Sequence, residues 1–453
     1  MSQNNKTKKI LILILLVGLI IRIALACSFP INRFQYDIGI EDTFNCYNEE
    51  DYKALMDFDR DYLTEGGHLE YILTIYKTGH LPNDNMNQMY HPPLSQLIFA
   101  GFLKIETLFT DNSKFLLESL EFVTIVYSML IILLGYKIMK EIGFEDKDTI
   151  LPVALLTFHP LFIYLARLVN TDSLVSLLIL VSVLYLMKWY KKPSYKNVII
   201  LGLAIGFGAM TKTSIIIMAV PLIFVYMKKI IECVQKDEPV KHIIIQGILF
   251  SFITLPMVFW YPIRNYNKFG QALFGIVEAM DSLAIADSSF AGRWVLNHEI
   301  FNVALEPHAS NVFANLIIST INFAINSYAV PILISFPLRG ISLILIAISI
   351  VGMLRFTVEN EQKNLLWILV VTYCTWIFGY IYFNCLLPYS CTIHARYVIT
   401  AIVIGIIYIG IFLKNIKSKP GKNFVLVLIT IFMIISIVMF VYLIVMNSII
   451  ARI

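Results

Sequence analysis

A few residues of this 453-residue chain have the types that could do chemistry. Asp37, Asp59, His68, Glu70 and His91 share one polar stretch near the amino terminus. Arg167, Asn170 and Asp172 stand in "LARLVNTDSLV", Lys212 in "GAMTKTSII" and Arg264 in "FWYPIRNY". His394, Arg396 and Tyr397 stand in "TIHARYVIT". A carboxylate can take a proton from an incoming hydroxyl. Arginine offers phosphate oxygens a planar fork of donors, and lysine a point charge. Cations that hold a phosphate also stabilise the charge it gains on leaving. Each residue has a plainer reading as well. An Arg or Lys at the end of an apolar helix commonly snorkels to headgroups. Asp172 after Asn170 reads equally as a helix cap, and a lone loop histidine is usually solvated.

The elements that carry these residues decide between the readings. The chain is 58% hydrophobic with a mean hydropathy of +0.75, beyond the range of soluble domains. Apolar runs of about 18 residues, enough to cross about 30 Å of hydrocarbon, recur along it. About eleven spans are expected, near 10–29, 119–138, 150–167, 171–190, 197–211, 213–227, 243–261, 340–356, 364–383, 397–414 and 423–447. Pro221 is expected to kink one of the two short spans. The amino-terminal run is too long for a signal-peptide core and Ala24–Cys27 matches a lipoprotein cleavage box only loosely, so it reads as a retained first span. With that terminus inside, the loops around Lys140, Lys191, Lys236, Lys363 and Lys417 all fall on one side. That satisfies the positive-inside rule at each crossing and predicts a multi-pass plasma-membrane protein with a cytoplasmic amino terminus. The net charge of +4 therefore reports orientation, not nucleic-acid binding.

Residues 30–118 and 262–339 remain as long outer segments of one membrane domain covering 1–453; no internal repeat is visible. The first segment contains three amphipathic or apolar pieces, "YKALMDFDRDYL", "GGHLEYILTIYKTG" and "PLSQLIFAGFLKIETLF", expected as helices at the outer membrane surface. All the singled-out residues then fall on the outer face. Cations there run against the rule that fixes the topology, so Arg167, Lys212, Arg264 and Arg396 together argue for an outer cavity, cationic in part, holding at least one carboxylate. Such a cavity suits a phosphate carried by a lipid whose tail lies between the spans. Pro92 and Pro93 are expected to force an extended approach that holds His91 at its mouth; the plainer reading is that His91 caps a Pro-initiated helix. His68, Glu70 and His91 could gather around a divalent ion, which is weak ground in one loop. The six cysteines lack CxxC spacing; Cys385 and Cys391 flank a short loop open to a disulfide, with packing thiols as the alternative. No glycine-rich phosphate loop or nucleotide-sugar motif is present.

The stretches "YDIG", "GGHLEYI", "YHPPL", "ARLVNTDSLV", "TKTS", "YPIRNY" and "HARY", in this order, resemble bacterial family-39 glycosyltransferases of the GT-C superfamily. That superfamily includes the protein O-mannosyltransferases and the lipid A aminoarabinose transferases. The resemblance implies an all-α polytopic bundle of about eleven to thirteen membrane helices, with surface helices in a long first outer loop. It also implies inverting transfer of a sugar from a polyprenyl-phosphate donor to an acceptor hydroxyl on a protein, glycan or lipid, with a first-loop acid as base. Asp37 matches that acid. "YDIG" carries one acid where the mannosyltransferases often carry Asp-Glu, so Glu70 and Asp59 stand as alternatives. Arg167 and Asp172 match the Arg and Asp of the turn between the third and fourth spans, and Lys212 the lysine after the fifth. Arg396 and Tyr397 match the Arg-Tyr beside the lipid phosphate. His68, His91, Asn170, Arg264 and His394 are expected around the substrate. The rival readings are a transporter or flippase, which would favour midplane charges and repeats, and a non-catalytic binder of lipid-linked sugars.

Overall fold

A chain in hydrocarbon must satisfy its own backbone hydrogen bonds, so apolar runs of this length fold as helices. The computed structural model describes residues 3–32, 35–40, 48–58, 63, 67–84, 87–273, 290–295, 311–313, 332–359, 362–387, 392 and 394–450. Its helices are α1 (Gln3–Ala26), α2 (Glu49–Met56), α3 (His68–Thr78), α4 (Leu94–Glu106), α5 (Ser113–Glu118), α6 (Leu120–Glu141), α7 (Asp146–Phe158) and α8 (Pro160–Tyr164). They continue with α9 (Asp172–Lys191), α10 (Tyr195–Ala209), α11 (Ala219–Gln235), α12 (Lys241–Phe269) and α13 (Phe290–Trp294). The last four are α14 (Ile332–Glu359), α15 (Lys363–Leu386), α16 (Ile399–Asn415) and α17 (Lys419–Ile450). Among the described residues no strand forms; Ile40 and Leu63 make one isolated bridge.

Each of the eleven expected spans falls on helix. Among the described residues, nine helical stretches are long and apolar enough to cross a membrane singly. The bent pair α7–α8 (56°) makes a tenth if taken as one span, so nine to ten of the eleven expected spans have that length and apolarity; α10 is apolar but shorter. The protein is an all-helical, multi-pass membrane protein. The span expected at 150–167 as one helix is broken at His159. Pro160 has no N–H and excludes its predecessor from helical geometry, and His159 is extended (φ −66°, ψ 131°). The carbonyls freed by the break are taken up by neighbours. Thr157 O accepts from Arg22 Nη1 at 3.1 Å, and Phe158 O from Ser436 Oγ at 2.6 Å. Pro221 sits in the first turn of α11, after a 3-10 turn at Thr213–Met218.

The Lys-rich ends meet as the charge pattern requires. Lys191 Nζ lies 2.8 Å from Glu141 Oε1, Lys140 Nζ 2.9 Å from Asp146 Oδ1 and Lys414 Nζ 3.7 Å from Asp148 Oδ2. At the opposite end the first long loop folds on a hydrophobic cluster of its own, including Ile38, Tyr52, Leu69, Ile72, Phe99, Leu103 and Leu117. Val169, from the turn between α8 and α9, belongs to the same cluster and seats the loop on the bundle.

One buried charge set ties this seat together. Arg167 Nη2 lies 2.6 Å from Glu121 Oε1 on α6, with both side chains essentially inaccessible. The same guanidinium donates to Leu25 O (2.8 Å), Phe29 O (3.0 Å) and Pro30 O (3.1 Å). It therefore closes the carboxyl end of α1, where a cation is favoured, and fixes the chain leading to Asp37. Glu118 accepts from Ile31 N at 3.1 Å and from Tyr52 Oη. Removing one partner of a buried pair strands a charge. Glu121→Leu should destabilise the protein by about 3 kcal/mol or more, and adding Arg167→Met should recover part of that loss. Denaturant titration in mixed micelles measures both. Glu121→Leu as stable as the parent would contradict the role given to the pair.

Candidate active site

Asp37 sits on a 3-10 turn, Tyr36–Ile38, closed by Gly39 in the left-handed region (φ +84°). Gly39 lies against Gly67 so closely that a Cβ on Gly67 would meet Gly39 Cα at 2.1 Å. Only glycine permits both the dihedral and the approach. This contact brings the start of α3 to Asp37, with His68 Nε2 3.7 Å from Asp37 Oδ2. Asp172 opens α9, where an acid is favoured by the helix dipole, and its N–H donates to Asn170 Oδ1 at 2.9 Å. Lys212 is the extended residue after α10 (φ −156°, ψ 129°). Arg396 and Tyr397 lie on a 3-10 turn, Ala395–Val398, leading into α16.

These parts of the chain converge. Arg396 Nη1 donates to Asp37 Oδ2 at 2.9 Å, and Arg396 Nε lies 3.5 Å from Asp172 Oδ2. Lys212 Nζ donates to the other Asp172 oxygen at 2.5 Å and stands 4.9 Å from the centre of the Tyr397 ring. Arg396 Nη2 donates to Tyr397 Oη at 3.3 Å. Burial alone would raise the Asp37 carboxyl, but Arg396 and the hydrogen bond from His68 outweigh it and hold the group well below the usual carboxylate range. Asp37 is ionised at neutral pH, and its Oδ1 has no hydrogen-bond partner among the described residues.

The His91 ring lies parallel to His68, centroids 5.9 Å apart and planes 6° apart. Burial, then Lys212 and His68, push His91 well below the ordinary histidine range, so it stays neutral. The helix-cap reading of His91 does not apply. Pro93 is the N-cap residue of α4, without a side-chain cap bond. Leu94 N donates to Met210 O at 2.9 Å, anchoring the start of α4 to the end of α10. Tyr261 Oη donates to Met89 O at 2.6 Å and fixes the turn before His91.

Two expected substrate ligands are placed otherwise. Arg167 is committed to Glu121 and three backbone carbonyls; the role its contacts give it is to position the loop. Arg264 donates to Pro82 O at 3.0 Å and to Asn265 Oδ1 at 2.9 Å, clamping the loop to α12. In both cases backbone carbonyls take the donors expected for phosphate. Asn170 precedes Thr171, the N-cap residue of α9; its Oδ1 accepts from Asp172 N, and its carbonyl accepts from Ser95 Oγ at 3.1 Å. Glu70 is buried on α3, two residues from His68 and so about 200° round the helix from it. His394 is the extended residue before the Arg396 turn, and its carbonyl accepts from Tyr397 N at 3.2 Å. Asp59, Cys46 and Cys391 lie outside the described residues, as does most of 262–339. Glu121 and Gln35, whose partners are over 40 and 130 residues away, carry no local signal that would single them out. Among the described residues no group of three or more His, Cys, Asp and Glu side chains is gathered to hold a metal ion.

Comparison with known proteins gives a consistent picture. The family described as dolichyl-phosphate-mannose-protein mannosyltransferase matches residues 90–260, from the His91 turn into α12. No curated protein matches the chain in sequence. Two crystal structures of ArnT from Cupriavidus metallidurans are similar in fold. The apo structure aligns with a TM-score of 0.51 at 12% identity, covering 92% of this chain and 61% of ArnT. The structure bound to undecaprenyl phosphate aligns with a TM-score of 0.52 at 13% identity, covering 92% and 62%. This chain spans about six tenths of the ArnT length. It has the helical fold of ArnT, and by family match and by fold it resembles the GT-C glycosyltransferases, the protein O-mannosyltransferases among them.

Proposed function

We propose that the protein is a membrane glycosyltransferase that moves a sugar from a polyprenyl-phosphate donor to an acceptor hydroxyl, with inversion, at the extracytoplasmic face. The observation that carries this reading is the convergence of Asp37, Asp172, Lys212 and Arg396 from separate parts of the chain. The family match and the undecaprenyl phosphate bound to ArnT support the choice of donor class. The Lys-rich loops at the opposite end of the bundle support the sidedness.

In this reading the donor phosphate lies on Arg396 and Lys212. The acceptor oxygen attacks the anomeric carbon while the bond from that carbon to the phosphate oxygen breaks. The acceptor proton passes to Asp37, whose Oδ1 is unengaged. The charge that builds on the departing phosphate falls on the two cations. Arg396 has two tasks here, because it is also the partner of Asp37. A phosphate drawing the guanidinium away removes the charge that depresses the Asp37 carboxyl. Its proton affinity then rises back toward the ordinary carboxylate range, and burial pushes it further in the same direction. Asp37 becomes the stronger base only when donor is bound.

Three outcomes are expected with undecaprenyl-phosphate-linked mannose and aminoarabinose as trial donors. Arg396→Ala and Lys212→Ala should each raise the donor KM and lower kcat; parent-like kinetics in both would reduce them to snorkelling cations. Asp37→Asn should lower kcat by about 10²-fold or more. Its affinity for undecaprenyl phosphate should stay at least equal to the parent's, since Arg396 is released; full activity in this variant with loss in Glu70→Gln would move the base to α3. The pH profiles carry the sign of the exchange. Asp37 works only when deprotonated, so both kcat and kcat/KM fall as pH drops. The acid limb of kcat, which reports the donor complex, should lie at higher pH than that of kcat/KM, which reports the free enzyme. Coincident limbs would remove the exchange from the mechanism.

A further inference from the structure

Gln35, two residues before Asp37, is 3% exposed. Its carboxamide meets one backbone residue twice. Gln35 Oε1 accepts from Val169 N at 2.7 Å, and Gln35 Nε2 donates to Val169 O at 3.2 Å. A primary amide presents a donor and an acceptor side by side, as one edge of an extended strand does. The side chain thus stands in for a paired strand and satisfies both polar groups of a buried residue, which would otherwise be costly to leave unmet.

The two segments joined in this way are the ones that carry the carboxylates. Asp37 follows Gln35 by two residues, and Asp172 follows Val169 by three. Arg396 spans the gap between those carboxylates, 2.9 Å from one and 3.5 Å from the other. A guanidinium can serve both only if their separation is held. The other anchors of the Asp37 segment are placed further along the chain on either side: Arg167 at Phe29 and Pro30, Glu118 at Ile31, and the Gly39–Gly67 contact beyond it. Gln35 is the tie between them that acts directly on the Val169 turn.

We infer that Gln35 is a positioning residue: its two-bond pairing with Val169 sets the register of Asp37 against Asp172 and Arg396, and so the alignment of the base. The inference rests on the reading of Asp37 as base for its kinetic consequence, and on geometry alone for its structural one. Around Asp37 stand Arg396 and His68, with His91, Lys212 and Asp172 behind them. Gln35 adds no charge to this set; besides its pairing with Val169, its side chain hydrogen-bonds the Asp37 carboxylate and helps to lower it.

The test uses the full chain in nanodiscs with Gln35→Met, which keeps length and loses both bonds, and Gln35→Glu, which keeps the acceptor for Val169 N and adds a charge. With the trial donors above, Gln35→Met should lower kcat at least tenfold while the donor KM stays within about twofold, because Lys212 and Arg396 remain. Gln35→Glu should retain more kcat than Gln35→Met and shift the acid limb of its pH profile upward, since a second negative charge raises Asp37. A cryo-EM structure of Gln35→Met should show Asp37 displaced from Arg396, while the Lys212–Asp172 contact persists. If the parent consumes no donor, the transferase reading fails, and the structure of Gln35→Met still decides the positioning role. Parent-like kcat in Gln35→Met, an undisturbed Asp37–Arg396 pair, or equal rises in KM and falls in thermal midpoint without a kcat effect would each overturn it.

Discussion

Two carboxylates and two cations share one small volume at the end of this helix bundle, and each is the neighbour of an opposite charge. Arg396 lies between Asp37 and Asp172, and Asp172 lies between Arg396 and Lys212. Charges at the border of hydrocarbon are tolerated only when paired. Much of the surrounding architecture follows from keeping this set together. Asp37 reaches it through a glycine contact, Asp172 by opening α9, Lys212 by following α10 and Arg396 by preceding α16. The four belong to different elements, so the set closes only when the loop has docked on the bundle.

The docking has its own supports, and they are chemically distinct from the site. Arg167 and Arg264 spend their donors on backbone carbonyls, with Glu121 and Asn265 completing their shells. They fix where the loop sits. Lys212 and Arg396 donate to carboxylates instead, partners that an incoming anion can compete with. The division separates residues that hold the site from residues that can change partners within it.

The spans were legible because apolar length and lysine placement are both strong constraints, and all eleven lie on helix. Asp37, His68, His91, Asp172, Lys212, Arg396 and Tyr397 were legible as a set, since cations at the ends of apolar runs, away from the Lys-rich loops, need a reason. Their mutual contacts are those of one network. Arg167 and Arg264 had the same local signature and a different fate. An arginine at a helix end looks alike whether its partner is a phosphate or a carbonyl supplied by a segment over a hundred residues away. The break at His159 was written in Pro160, but an apolar run on both sides hid it. Gln35 is a single uncharged residue whose value lies mainly in a tertiary contact with Val169.

The central claim is that this set of charges receives a lipid-borne phosphate. A cryo-EM structure of the full chain in nanodiscs with undecaprenyl phosphate tests it most directly. The account predicts phosphate density against Lys212 and Arg396, with the Arg396 guanidinium moved off Asp37 and the Gln35–Val169 pairing unchanged. Phosphate bound elsewhere at saturating lipid, with the Asp37–Arg396 contact intact, would contradict it.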